Sequence, residues 1–502
     1  MRDWLAEAAR VYGSKPALLL SYYGHLDPFF RIYDYARLNK IAAGLALRLA
    51  GLGIGRGDRV AVLLDNPHRA IEIIHALMKL SAILVPLNTR LTAEELAYQV
   101  ESVGCKVLLC DQPHAERAAL AGESTRVINI SPTPDSVLGA LPNFEISDSD
   151  LAMALETEFD LNDVQAIIFT SGTTGQPKGA QITYRNLLSN AQASASRLGD
   201  MPDDRWLLSL PLYHVGGLAI LVRACLAGAG VVLPAPRPEA SELIQIIERE
   251  AVTLISLVPT QLVRLLDAGW IPPASLRLIL LGGAAATPEL IQRCCVLGLP
   301  VAPTYGLTEA TSQVATILPP DACRKPGSVG KPLDGVRVVV WAESGEVAAV
   351  DEIGEIIVFG ETVMQGYLDF PAVDSSRGFA TGDLGYVDAD GDLWLVQRRS
   401  DLIVSGGENV YPAEVEAVLR RHNDVADACV VGVLDAEWGQ RVAAMVIPRE
   451  GSTVSEADLI SFSRAHLAAY KLPRKIVFAT ELPQTASGKV RRPLVMEAVR
   501  DA

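Results

Sequence analysis

The sequence predicts an α/β protein. A large N-terminal domain of parallel or mixed sheets, flanked by helices and joined by a small β unit, is followed by a small mobile α+β C-terminal domain. Three observations carry this. Short apolar runs alternate with longer amphipathic stretches along most of the 502 residues. After about Val336 the texture changes to short strands separated by Gly- and Asp-rich turns such as Asp388–Asp392. A polar run with two arginines, Gln397–Ser400, then precedes a fresh strand-like segment. The predicted division is residues 1–397, a hinge at 398–401, and residues 402–502.

The elements follow in order. Val60–Leu64 reads as a buried strand and Pro67–Leu80 as a helix with Ile71, Ile74, His75 and Met78 on one face. Ile83–Pro86 is a strand. Thr92–Val103 is a helix capped by Thr92 with Glu95 three residues on, and Val107–Cys110 is a strand. The alternation returns at Ala166–Thr170, Ser241–Glu250, Leu254–Leu257, Pro259–Asp267 and Leu278–Leu281. Val336–Trp341, Glu355–Val358 and Asp392–Val396 are the later strands. The last domain holds strand Leu402–Val404, helix Ala413–Arg421 and strand Ala428–Val433.

Composition narrows the function class. Apolar residues make up 49% and charged residues 21%, a globular balance, and the net charge of −15 argues against nonspecific nucleic-acid binding. Met1–Arg10 carries Asp3 and Glu7 and does not read as a signal peptide. No run reaches membrane-span length; Arg223 interrupts Leu218–Leu226. The seven scattered cysteines include no CxxC pair, so a reduced cytoplasmic setting with cysteines as small core residues is expected.

Five segments carry candidate chemistry. Thr170-Ser171-Gly172-Thr173-Thr174-Gly175-Gln176-Pro177-Lys178-Gly179 follows an apolar strand. Its glycines allow close backbone approach to phosphate oxygens, and its hydroxyls and Lys178 add donors. It is not a Walker A loop, because Lys178 sits three residues after Gly175 and precedes Gly179. A mobile surface loop is the competing account. Thr304-Tyr305-Gly306-Leu307-Thr308-Glu309 offers a carboxylate for Mg²⁺ and a ring for a base, although a glutamate at a helix start also simply suits the dipole. Thr381-Gly382-Asp383-Leu384-Gly385 can accept from ribose hydroxyls or be an ordinary turn. The fourth segment is Arg398 to Asn409. The fifth, Pro483 to Arg492, places Lys489 in a Gly/Ser loop that is otherwise a solvated basic tail.

In this order and spacing the five segments resemble the adenylate-forming superfamily of acyl-CoA synthetases, luciferases and peptide-synthetase adenylation domains, from Tyr33 to Arg492. The resemblance implies an AMP-forming acid–thiol ligase that uses ATP, Mg²⁺ and coenzyme A, with a small domain that rotates between two half-reactions. It implies that Thr170, Ser171, Gly172, Thr173, Thr174, Gly175 and Lys178 bind phosphate. Gly283, Ala284 and Ala285 would line the adenine pocket with Tyr305 and the adjoining Gly306. Thr308 would meet the α-phosphate and Glu309 the metal. Asp383 and Arg398 would hold ribose, and Lys489 would bridge carboxylate and α-phosphate during adenylation. Ser405, Gly406, Gly407, Glu408 and Asn409 would turn inward for the thioester step. Gln397 before Arg398, and Ser400 at the hinge position, depart from the usual pattern and blur the hinge by a residue or two.

Leu87–Leu91 with Ala93–Leu96, Pro211–His214, Tyr305–Gln313 and Arg398–Pro412 are similar to one branch, the o-succinylbenzoate–CoA ligases of menaquinone biosynthesis. That implies a small carboxylic acid as substrate, o-succinylbenzoate favoured, with His214 at the acyl pocket or simply structural, and Ser312 and Gln313 as polar contacts to the second carboxylate. A homodimer is compatible with it. The alternatives are another aryl- or fatty-acyl-CoA synthetase, an amino-acid-activating domain, and an inactive binding protein on the same fold. Tyr213–Gly217 offers no carboxylate for a substrate ammonium and no carrier domain is expected after Ala502; intact Glu309, Asp383 and Lys489 speak against inactivity.

Overall fold

The structure is a computed structural model and describes residues 1–21, 32–122, 124–131, 154, 158–171, 177–201, 203–397, 402–483 and 490–501. Two compact units make up the chain. One comprises Met1–Thr89, Val100–Ile168 and Gly179–Gln397; the other comprises Arg90–Gln99, Phe169–Lys178 and Arg398–Ala502.

In the first unit, short Val-, Ile- and Leu-rich runs become parallel strands because they can be buried on both faces. Arg59–Leu63 pairs in parallel with Ile83–Pro86 on one side and Val107–Cys110 on the other. The helix Pro67–Lys79 starts on an Asn66 cap with proline at its first position. It is buried on more than the one face the sequence suggested: nearly every residue from His68 to Lys79 is covered. The buried Lys79 ammonium is neutralised by Asp3 at 2.6 Å.

The larger sheet is built of parallel strands in the order Pro16–Leu20, Gly230–Leu233, Arg205–Leu207, Leu254–Leu257, Leu278–Leu281 and Val301–Leu307. It continues with antiparallel strands Ser312–Thr316, Ser328–Pro332, Leu393–Gln397, Phe379–Val387, Gly354–Phe359 and Arg337–Trp341. The strands after Val336 are the antiparallel end of this hydrogen-bonded path.

In the second unit, Gly439–Pro448 pairs antiparallel with Val425–Asp435 and parallel with Lys475–Phe478. Val425–Asp435 alternates faces with the two-residue period of a strand. Ala428 and Val430 pack with Val415 and Leu419 of helix Pro412–Arg420, while Cys429, Val431 and Val433 pack with Val495 and Val499 of helix Arg492–Asp501. No helix among the described residues is long and apolar enough to cross a membrane.

Cysteine use departs from expectation at one place. Cys105, Cys110, Cys225, Cys294 and Cys429 are buried thiols. Cys295 and Cys323, expected to be reduced, instead form a disulfide with Cα atoms 5.8 Å apart. They lie 28 residues apart in sequence and meet because Pro288–Val296 and Pro319–Arg324 bring their last turns together. A search for closely spaced cysteines cannot find such a pair.

Candidate active site

Parallel α/β sheets present ligand-binding loops at the carboxyl ends of their strands. In the first unit three predicted segments leave that same edge of the larger sheet. His214 follows strand Arg205–Leu207, Gly283–Ala285 follows Leu278–Leu281, and Thr308–Glu309 follows Val301–Leu307. Gly283 has φ of 76°, a left-handed turn that carries the chain away from the sheet before Thr287 caps the next helix. His214 precedes helix Val215–Ala227 and its ring sits edge-on to Tyr213, centroids 4.8 Å apart.

The Tyr305–Glu309 segment is fixed from several sides. Its strand turns back on Ser312–Thr316 through Thr311 and Ser312, both at positive φ (55° and 96°). A side chain at Gly306 would collide with the Ser312 carbonyl, so only glycine permits this crossing. The Tyr305 hydroxyl donates to Asp383 Oδ2 at 2.6 Å, and Asp383 receives its own backbone support from Thr381, whose Oγ1 accepts its N–H at 3.1 Å. The predicted base-side and ribose-side residues are therefore joined directly, with both side chains buried. Glu309 is also buried; its Oε1 accepts from Tyr367 Oη at 2.5 Å, and its backbone carbonyl from Met364 N at 2.8 Å. No described donor engages Oε2. A carboxylate oriented through one oxygen, with the other unclaimed, suits a hard divalent cation.

Arg223 is the residue that sequence reasoning missed. It lies in helix Val215–Ala227 and is 5% exposed. Its Nη2 donates to Asn190 Oδ1 at 2.9 Å and lies 3.5 Å from Ser312 Oγ, and its guanidinium sits 5.6 Å from the Trp206 ring centre. Among the described residues it forms no ion pair, and its Nε has no partner. Burial pulls its pKa down to about 10. A buried cation without a carboxylate is costly unless an anion arrives. The available signal was the arginine within Leu218–Leu226, which had served only to exclude a membrane span. Gln313, beside it in sequence, is buried; its Nε2 donates to Thr316 Oγ1 at 2.8 Å, its backbone carbonyl accepts from Asn190 Nδ2 at 2.9 Å, and its Oε1 is unsatisfied.

The remaining predicted residues lie in the second unit. Thr170 and Ser171 end strand Val164–Ser171, and Lys178 stands at the start of Pro177–Thr183. Gly172, Thr173, Thr174 and Gly175 between them lie outside the described residues, as do Arg398, the 398–401 hinge and Lys489. Ser405 and Glu408 face each other across a two-residue hairpin between Ile403–Ser405 and Glu408–Val410. Its central residues Gly406 and Gly407 have φ of 58° and 85°, the mirror-image turn that tight hairpins require. Gly406 N donates to the Trp438 carbonyl at 2.8 Å, and a side chain there would meet the Trp438 ring. Glu408 is buried and Asn409 exposed.

Comparison with known proteins adds the following. The AMP-binding enzyme family matches residues 5–368, and the AMP-binding enzyme C-terminal domain matches residues 414–489. A 2-succinylbenzoate–CoA ligase from Geobacillus kaustophilus is 41% identical over 473 residues, 92% of each chain. One from Bacillus licheniformis is 38% identical over 494 residues, 98% of each. Among solved structures, a double mutant of o-succinylbenzoate CoA synthetase from Bacillus subtilis, bound with a product analogue, is similar with a TM-score of 0.87 and 34% identity. That match covers 100% of this chain and 98% of the other. The same synthetase in complex with ATP and magnesium gives 0.72 and 34%, over 100% of both chains.

Proposed function

Since this chain belongs to the AMP-binding enzyme family, we propose that it is a 2-succinylbenzoate–CoA ligase, forming an acyl-adenylate and then the CoA thioester. The observation that carries the choice of acid is Arg223. The relatives act on a dicarboxylate, of which one carboxyl is activated and the other must be held as an anion. A buried guanidinium with an unpaired Nε, beside the Ser312 hydroxyl, is the feature such an anion needs.

A carboxylate is a poor electrophile because its charge repels nucleophiles and its oxygen leaves badly. Attack of the acid's oxygen on the α-phosphorus of ATP forms the acyl-adenylate and expels pyrophosphate. The thiol sulfur of coenzyme A then attacks the acyl carbon, loses its proton and expels AMP. In the first step negative charge concentrates at the α-phosphate, so the protein's work is positioning and electrostatic stabilisation. Thr308 and Lys489 supply donors there, and Thr170 to Lys178 hold the outgoing phosphates. Glu309 would hold Mg²⁺, which supplies charge neutralisation on the phosphate oxygens. Tyr305 fixes Asp383 toward the ribose while Gly283–Ala285 border the base. In the second step the Gly406–Gly407 turn gives the thiol arm close backbone approach. The hinge at 398–401 lets residues 402–502 serve each step in turn. The reaction belongs in the cytoplasm, where both nucleotide substrates are found.

The test is turnover with ATP and coenzyme A of 2-succinylbenzoate against benzoate, octanoate and phenylalanine. The proposal expects the diacid to be used with kcat/KM well above the others. A higher kcat/KM for benzoate or octanoate would leave the family and remove the acid.

A further inference from the structure

We propose that the Glu416–Arg492 pair positions the Lys489 loop for adenylation, an inference that rests on the reading of Lys489 as the adenylation lysine. Both feet of this loop are described. On one side Leu482 is buried with Val495 and Val499. Arg491 N donates to the Pro483 carbonyl at 2.8 Å and closes the loop at its base. On the other side Arg492 opens helix Arg492–Asp501, whose first turn carries no acidic residue. A cation there faces the positive end of the helix dipole and does not help the helix form.

Glu416, on helix Pro412–Arg420, accounts for its position. The Glu416 carboxylate is buried, and its Oε1 accepts from Arg492 Nη1 at 2.8 Å and from Val430 N at 2.8 Å. Arg492 Nη1 also donates to the Val430 carbonyl at 2.5 Å. Helix Pro412–Arg420, strand Val425–Asp435 and the helix after the loop are thus tied at one carboxylate. Lys489 is three residues from Arg492, within about 10 Å of chain, so the guanidinium anchor sets where the lysine can reach. Displacement of a reacting group by about 1 Å costs on the order of a hundredfold in rate.

A pair that only stabilised the unit would behave differently. The Gly406–Gly407 turn assigned to thioester formation belongs to the same unit, so general loosening would depress both half-reactions together. Positioning of Lys489 would depress the first alone.

The experiment compares full-length Arg492→Ala, Arg492→Lys and Glu416→Gln with Lys489→Ala as reference. One assay follows pyrophosphate release from ATP and 2-succinylbenzoate. The other follows thioester formation from preformed acyl-adenylate and coenzyme A. Arg492→Ala is expected to lose about a hundredfold in kcat of the first, with KM for ATP little changed, and to keep the second within about threefold. Glu416→Gln should show the same split, and Arg492→Lys should recover part of the loss. If Lys489→Ala separates the half-reactions while the Arg492 and Glu416 variants lower both equally, or lower neither, the positioning role is overturned and the reading of Lys489 stands. If Lys489→Ala itself fails to separate them, both ideas fall. Should Arg492→Ala not fold, the near-isosteric Glu416→Gln decides by the same split.

Discussion

Replacing Arg223 by methionine tests the proposed acid most sharply. Burial lowers the Arg223 pKa to about 10, a displacement equivalent to about 3 kcal/mol held against the cation in the ligand-free chain. An anion that pairs with the guanidinium relieves this, and charge-assisted hydrogen bonds contribute about 1.5–3 kcal/mol. Losing about 3 kcal/mol lowers kcat/KM on the order of a hundredfold. The assay sets 2-succinylbenzoate against 4-oxo-4-phenylbutanoate, which has the same skeleton without the ring carboxylate. Arg223→Met should lose about a hundredfold on the diacid and stay within about threefold on the monoacid. Its Tm in the absence of ligand should hold or rise, because removal of an unpaired buried charge offsets the about 1 kcal/mol lost where Asn190 Oδ1 gives up its donor. Equal loss on both acids, with a lower Tm, would make Arg223 a structural residue and refute the argument.

Two further outcomes concern stability. His68 and His75 are buried with pKa values lowered to about 4 by desolvation, so the unfolded chain binds their protons first. The stability they contribute is present above about pH 6.5 and lost as pH falls toward 4, about 3 kcal/mol for each. Thermal melts across that window should show a steep fall that His75→Gln reduces; an unchanged slope would exclude this origin. Reducing the Cys295–Cys323 bond releases a 28-residue loop worth about 3.5 kcal/mol of chain entropy. A dithiol reductant should lower Tm by several degrees in the parent chain but not in Cys323→Ser, and equal shifts in both would contradict a stabilising bond.

How much was legible depended on distance along the chain. Leu254–Leu257, Pro259–Asp267 and Leu278–Leu281 have the bounds the sequence suggested, because a short apolar run and a proline at a helix start are local signals. Val425–Asp435 was read as Ala428–Val433, since its ends carry Asp427 and Asp435 and pairing with Gly439–Pro448, not apolarity, extends it. The Tyr305–Asp383 bond joins residues 78 apart, and no local pattern announces it. Ser312 was named as a contact to the second carboxylate. The charge beside it was not, because Arg223 reaches it from a helix 89 residues earlier. Roles for Lys489, Arg398 and the phosphate loop came through family resemblance alone, since a glycine-rich loop with a lysine has many uses.

The Cys295–Cys323 bond turns the chain between its ends into a covalent ring, and Tyr305, Gly306, Glu309 and Ser312 all lie on that ring. A protease cut at the Thr311–Ser312 turn would leave two peptides that remain one molecule until the bond is reduced. The hairpin is therefore a place where new chain termini can be opened, or a segment exchanged between relatives, without releasing either half from the sheet that carries it.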